Sequence, residues 1–187
     1  MSAVTSGGDH VLEVTISGPP GSGTSTLVAK LVEARGWRFL NGGDVFRGEA
    51  ARRGLSVEEL SAEAKDDLDV DRQLDALLQK RMASEDPPEI FESRLSGWWA
   101  HWSGLDCLRV WIDVSEEERA RRIQNREGGD FMECLGRSQK RQRDDKARYM
   151  ELYQIDLDDL TPYNFVIDCD EKNEDEVFAI LDSRLGM

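Results

Sequence analysis

Lysine is scarce in this chain, and histidine and cysteine are scarcer still. Six lysines stand against 18 arginines in 187 residues, and 38 acids outnumber 24 bases to leave a net charge of −14. The missing basic face argues against a nucleic-acid binder, which needs positive charge along its contact surface. A lysine-poor acidic exterior suits a halophilic protein, kept soluble in concentrated salt where like-charge repulsion is screened over a few ångströms. The two histidines, His10 and His101, are far apart, and the three cysteines, Cys107, Cys134 and Cys169, form no C-x-x-C pair, so a zinc site is not expected. Cys107 and Cys169 lie in or beside apolar stretches and read as buried thiols. No apolar run approaches the ~20 residues that span a bilayer, so no membrane partner is expected. Residues 1–10, MSAVTSGGDH, lack the charged and apolar parts of a secretory signal and read as a flexible tail, with the cytoplasm as the expected compartment. There is no N-K-x-D guanine signature, no internal repeat and no linker. Residues 11–187 are therefore expected to form one domain and to act as a monomer.

What is present is an alternation of periods. Apolar V/I-type runs at 11–16, 37–40, 89–92, 108–114 and 164–168 predict five strands. Between them, helical patterns run over 24–35, 45–53, 56–64, 66–82, 116–124 and 133–153, with a last one over 175–185. Ser56 with Glu59, and Ser115 with Glu118, have the spacing of capping boxes. Gly36 and Gly54 sit where helices end. Strands alternating with helices predict an α/β fold: a five-stranded parallel sheet with helices on both faces.

Ligands in such sheets gather beyond the carboxyl ends of the strands. Four segments meet that mouth: 18–26, 41–47, 92–94 and Asp113. The first reads GPPGSGTST, between a strand and a helix, where a phosphate-binding loop belongs. Gly18 and Gly23 keep the spacing of G-x-x-x-x-G-K-[ST], and Ser25 fills the final hydroxyl position, but Thr24 replaces the lysine. Ser25 or Thr26 can bind Mg²⁺ through its hydroxyl, with spacing favouring Ser25. In 41–47, NGGDVFR, Arg47 can hold a phosphate, although a glycine turn before a capped helix reads equally well. Glu92 can hold a metal-bound water, and Arg94 a phosphate. Trp98, Trp99 and Trp102 read as packing residues, with base stacking left open for one of them.

Positive charge is concentrated between Arg119 and Arg148, with ten bases against five acids. Arg119, Arg122 and Arg126 recur at helical spacing, as do Arg141 and Arg148. Gly128, Gly129 and Gly136 interrupt the stretch. Two arginine-bearing helices around a flexible segment describe a lid that closes on phosphates and expels water.

Together these segments resemble the nucleoside monophosphate kinases, and more closely the archaeal type of cytidylate kinase. The matching pieces are ISGPPGSGTST, GGDVFR, VDRQLD, ESRLSGWW, ERARRIQNRE and RQRDDKARYMELYQIDLDDLTPYNFVID, in order from about residue 14 to 168. The resemblance implies a P-loop NTP-hydrolase-like kinase fold with an arginine-rich lid, and transfer of the γ-phosphoryl of ATP to CMP or dCMP with Mg²⁺. It implies an acceptor-binding region over about 41–82 and a lid over about 126–141. It places Gly18, Pro19, Pro20, Gly21, Ser22, Gly23, Thr24, Ser25, Thr26 and Arg122 at ATP. Asp44, Arg47, Asp71, Arg72 and Arg94 would face the monophosphate, and Ser25 and Glu92 the metal. Arg126, Arg141 and Arg148 would carry the charge of the transferring group. A kinase for AMP or another small acceptor remains open at this stage, as does a non-catalytic nucleotide-binding module, for which Thr24 speaks.

Overall fold

The computed structural model describes residues 11–56, 59–60 and 68–186. The expected tail at 1–10 lies outside them. Five strands, β1 (Val14–Ser17), β2 (Phe39–Asn41), β3 (Ile90–Glu92), β4 (Leu108–Asp113) and β5 (Phe165–Asp168), form one sheet in the order β2-β3-β1-β4-β5. Every pairing is parallel, and Ile16 stands in register with Glu92 on one side and Val110 on the other. The helices are α1 (Thr24–Arg35), α2 (Gly42–Arg53), α3 (Leu68–Met82), α4 (Ser96–Trp102), α5 (Glu116–Glu127), α6 (Phe131–Tyr153) and α7 (Glu174–Leu185). Among the described residues, no helix is long and apolar enough to cross a membrane.

Successive strand residues point to opposite faces, and the core divides accordingly. Val14, Ile16, Ile90, Val110 and Ile112 pack with Leu27 and Leu31 of α1 and Val177 and Leu181 of α7. On the other face Phe91 and Trp111 meet Leu78 and Met82 of α3, Trp98 and Trp99 of α4, and Tyr149 of α6. Burial on both faces is what the V/I runs predict for a parallel sheet. A separate small cluster, Ala50, Leu60, Val70 and Leu74, joins α2 to α3.

All five strands and the helical alternation follow the sequence pattern, with no end displaced by more than three residues. The cysteines are free and buried. The helix predicted over 56–64 falls largely outside the described residues, but its capping box is formed. Ser56 N donates to Glu59 Oε2 at 2.7 Å and Glu59 N to Ser56 Oγ at 3.1 Å. At α5 only half of the expected box exists: Glu118 N donates to Ser115 Oγ at 3.3 Å, while Ser115 N turns to Asp170 Oδ1 at 2.6 Å. Helix α4 carries no sequence-level expectation. Trp98 and Trp99 are core residues, whereas Trp102 is half-exposed, with its ring 5.5 Å from Trp98 and 5.4 Å from Trp99. Gly136 does not interrupt the basic stretch, because α6 runs unbroken from Phe131 to Tyr153.

Candidate active site

The sheet order reverses at β1: the chain steps to β2 and β3 on one side, then crosses to β4 on the other. That switch leaves a crevice beyond the carboxyl end of β1, and residues 18–26 fill it. Gly21 and Gly23 hold φ of 85° and 92°, a region that side chains with a Cβ avoid. Gly23 caps α1 in this conformation without a side-chain hydrogen bond, and no acid occupies the first turn. A Cβ on Gly18 would stand 2.6 Å from Ser22 Oγ and 3.0 Å from Ile112 O, so the start of the loop presses against β4.

Guanidiniums surround the loop at three alternate carbonyls. Arg94 Nη1 donates to Gly18 O, Arg119 Nη1 to Pro20 O at 3.4 Å, and Arg122 Nη1 to Ser22 O at 3.0 Å. Arg122 also reaches Cys169 O at 2.6 Å and Glu118 Oε1 at 3.0 Å. Arg119 is only 4% exposed, and burial lowers its pKa. The positive charge that Thr24 does not supply therefore sits at the loop already, on β3's end and α5.

From Arg94 an ionic chain crosses the mouth. Its Nη2 meets Asp145 Oδ2 at 2.8 Å; Asp145 Oδ1 accepts from Arg148 Nη2 at 3.0 Å; and Arg148 Nε lies 3.5 Å from Asp71 Oδ2. The chain joins the loop, β3, α6 and α3. Asp75, one turn beyond Asp71, accepts from Tyr153 Oη at 2.7 Å.

Burial pushes the Asp75 carboxyl up to about 6, against 3.8 for a free aspartate, with Tyr153 and Arg148 opposing and Asp71 adding to the shift. A group that holds its proton more tightly folded than unfolded costs stability as pH rises between those two values. Asp75→Asn keeps an acceptor for Tyr153 and removes that cost. At pH 8 it is expected to raise the melting temperature by about 2–4 °C, the equivalent of ~1 kcal/mol. At pH 4 the gain should nearly vanish. An equal gain at both pH values, read by thermal unfolding, would contradict the assignment.

The other sequence-derived candidates divide into two groups. Glu92, at the end of β3, accepts from Thr24 Oγ1 at 2.9 Å and from Asn41 Nδ2. Burial pushes its carboxyl up. Ser25 is exposed on the first turn of α1. Arg126 lines a cavity of about 550 Å³ beside the loop, together with Gly21, Gly23, Asn125, Lys172 and Val177. Arg47 and Arg72 point to solvent and pair locally with Asp44 at 2.6 Å and Asp69 at 2.7 Å. Arg141 is exposed on α6. Sequence reasoning missed Asp145, Asn41 and Asp75. Asp145 precedes Arg148 by three residues, a spacing that shares a helix face and was there to be read.

A parallel sheet in this order, with a glycine loop at its switch point and guanidiniums on that loop, defines a P-loop kinase. Solved structures agree on the fold. A protein from Eubacterium ventriosum superposes with a TM-score of 0.69 at 16% identity, covering 94% of this chain and 98% of its own. A shikimate kinase from Bacteroides thetaiotaomicron gives 0.61 at 12% identity, covering 94% and 99%. Residues 17–149 match a family described as an AAA domain. A cytidylate kinase from Archaeoglobus fulgidus is 38% identical over 170 residues, covering 91% of this chain and 92% of the relative. One from Methanopyrus kandleri is 38% identical over 175 residues, covering 90% of each. The chain belongs to the archaeal type of cytidylate kinase, within the nucleoside monophosphate kinases, and is an ATP-dependent kinase.

Proposed function

We propose that the enzyme transfers the γ-phosphoryl group of ATP to CMP and dCMP. The observation that carries this reading is the ionic chain from Gly18 O through Arg94, Asp145 and Arg148 to Asp71. It ties the donor loop to α3 through charges suited to phosphates on both sides. The names of the relatives supply the choice of cytosine.

In this reading the backbone of Gly18–Thr26 and the Arg122 guanidinium bind ATP, and the cavity beside the loop takes its base and ribose. Asp44, Arg47, Asp71 and Arg72, within a binding region over about 41–82, hold the acceptor together with Arg94 from the end of β3. A phosphate oxygen of CMP attacks the γ-phosphorus. The bond from that phosphorus to the β,γ-bridging oxygen breaks, and ADP leaves with the electron pair. Little covalent chemistry is asked of the protein, so positioning and charge supply the rate. Arg126, Arg141 and Arg148 carry that charge, on a lid over about 126–141 together with the helix behind it. Because 131–141 is ordered helix, opening would pivot at Gly128 and Gly129, whose φ values are 76° and 95°.

The donors at Ser25 and Glu92 are a hydroxyl and a carboxylate, hard oxygens that fit Mg²⁺. Each Glu92 oxygen keeps a lone pair after accepting its protein hydrogen bond. Bound there with ATP, Mg²⁺ would neutralise charge on the β- and γ-oxygens. The reading includes a monomer working in a salt-rich cytoplasm, without nucleic-acid or membrane partners, which the acidic surface suits.

The test is ADP formation from Mg-ATP with CMP, dCMP, UMP and AMP, assayed in molar salt. Turnover is expected with CMP and dCMP. Faster turnover with AMP or UMP would reassign the acceptor, and none with any of the four would overturn the reading.

A further inference from the structure

Thr24 occupies the position from which a lysine grips the β- and γ-phosphates in G-x-x-x-x-G-K-[ST] loops. A threonine hydroxyl has one proton to donate. Here that proton goes to Glu92 Oε1 at 2.9 Å, so it is not aimed at a phosphate. The second oxygen of Glu92 takes the Asn41 amide, and Asn41 Oδ1 in turn accepts from Asp44 N at 3.0 Å, capping α2. One carboxylate thereby joins the start of α1, the end of β3 and the start of α2.

The backbone is built to keep these groups together. Asn41 and Glu92 are register partners across β2 and β3. A Cβ on Gly42 would stand 2.8 Å from Ser93 Cβ, so the first residue of α2 lies against the residue after Glu92. The charge of the absent lysine is meanwhile replaced, since Arg94, Arg119 and Arg122 all bond to the loop.

We propose that Thr24 is a positioning residue: its hydroxyl orients the Glu92 carboxylate and, through Glu92 and Asn41, sets the phosphate loop against the acceptor-binding helix α2. The inference rests on the reading of α2 as part of the acceptor site. A half-buried carboxylate that loses one of two donors tilts toward the other, and a displacement of about 1 Å between reacting groups can cost on the order of 10²-fold in rate.

The experiment compares Thr24→Val, Thr24→Ser, Glu92→Gln and the Thr24→Val/Glu92→Gln double variant, each checked for folding by circular dichroism. Binding of ATP is measured at equilibrium in EDTA, binding of the monophosphate separately, and kcat with whichever monophosphate the parent phosphorylates. Thr24→Val is expected to keep metal-free ATP affinity within about threefold, to weaken monophosphate binding, and to lower kcat about 10-fold or more. Thr24→Ser should restore both. The double variant should be no slower than Glu92→Gln alone, because two residues acting through one carboxylate are not additive.

An ATP affinity reduced about tenfold or more in Thr24→Val would make Thr24 a phosphate ligand and overturn the proposal. So would rate losses that multiply in the double variant, or a serine that fails to rescue. If Thr24→Val does not fold, Thr24→Ala carries the same comparison. A wrong choice of acceptor base shows in the parent's acceptor profile and leaves the cycle readable.

Discussion

Arg94→Ala is expected to lower kcat about 10³-fold, in the range seen when a charge-stabilising donor or arginine is removed from a transferring group. The Arg94 side chain is 14% exposed and links Gly18 O to Asp145. Truncation removes a fixed positive charge from between the loop at 18–26 and α6, and leaves Asp145 facing Arg148 alone. Breaking a largely buried pair costs about 3–5 kcal/mol, so the melting temperature should fall as well. Arg94→Lys separates the two effects. An ammonium restores a charge near Asp145 but cannot serve Gly18 O and Asp145 with a rigid fork. Stability should largely return while kcat stays low. A lysine variant with near-parental kcat would show that charge alone suffices there.

The second large effect is structural. Gly97 lies in α4, fully within the core, against the ring of Tyr163. A Cβ at Gly97 would stand 2.7 Å from Tyr163 Cδ1 and closer still to Cε1. The ring cannot retreat, because Tyr163 is buried and packs on Trp111 with centroids 5.2 Å apart. Gly97→Ala is expected to cost about 3 kcal/mol by overpacking, or roughly 6–12 °C in melting temperature for a chain of this size. Adding Tyr163→Leu, which removes the ring, should recover part of the loss. A melting temperature within 2 °C of the parent would mean that the α4 backbone shifts freely.

The fold was legible because a parallel sheet writes itself into sequence twice, as V/I runs and as helices between them. Helix α4 escaped because seven residues span two turns, too few for periodicity to declare, and its tryptophans face several neighbours at once. Gly136 misled for a different reason. A glycine on an exposed helix face costs about 1 kcal/mol relative to alanine, which the packed faces at Cys134 and Ser138 offset. At the site, local motifs were readable and partnerships were not. The loop at 18–26 and Arg94 could be named from glycine spacing and strand ends. That Thr24 bonds to Glu92, 68 residues away, and Arg94 to Asp145, 51 away, depends on which strand ends the topology brings together.

The three guanidiniums on the loop carbonyls have one more consequence. A lysine there would be an amine, open to acylation and able to lose its proton in alkaline solution. Arginine keeps its charge throughout the range in which proteins stay folded. Residues 18–26 contain no amine, and the amine lining the neighbouring cavity is Lys172. The positive charge at the loop is thus fixed: neither alkali nor amine-directed reagents can discharge it there.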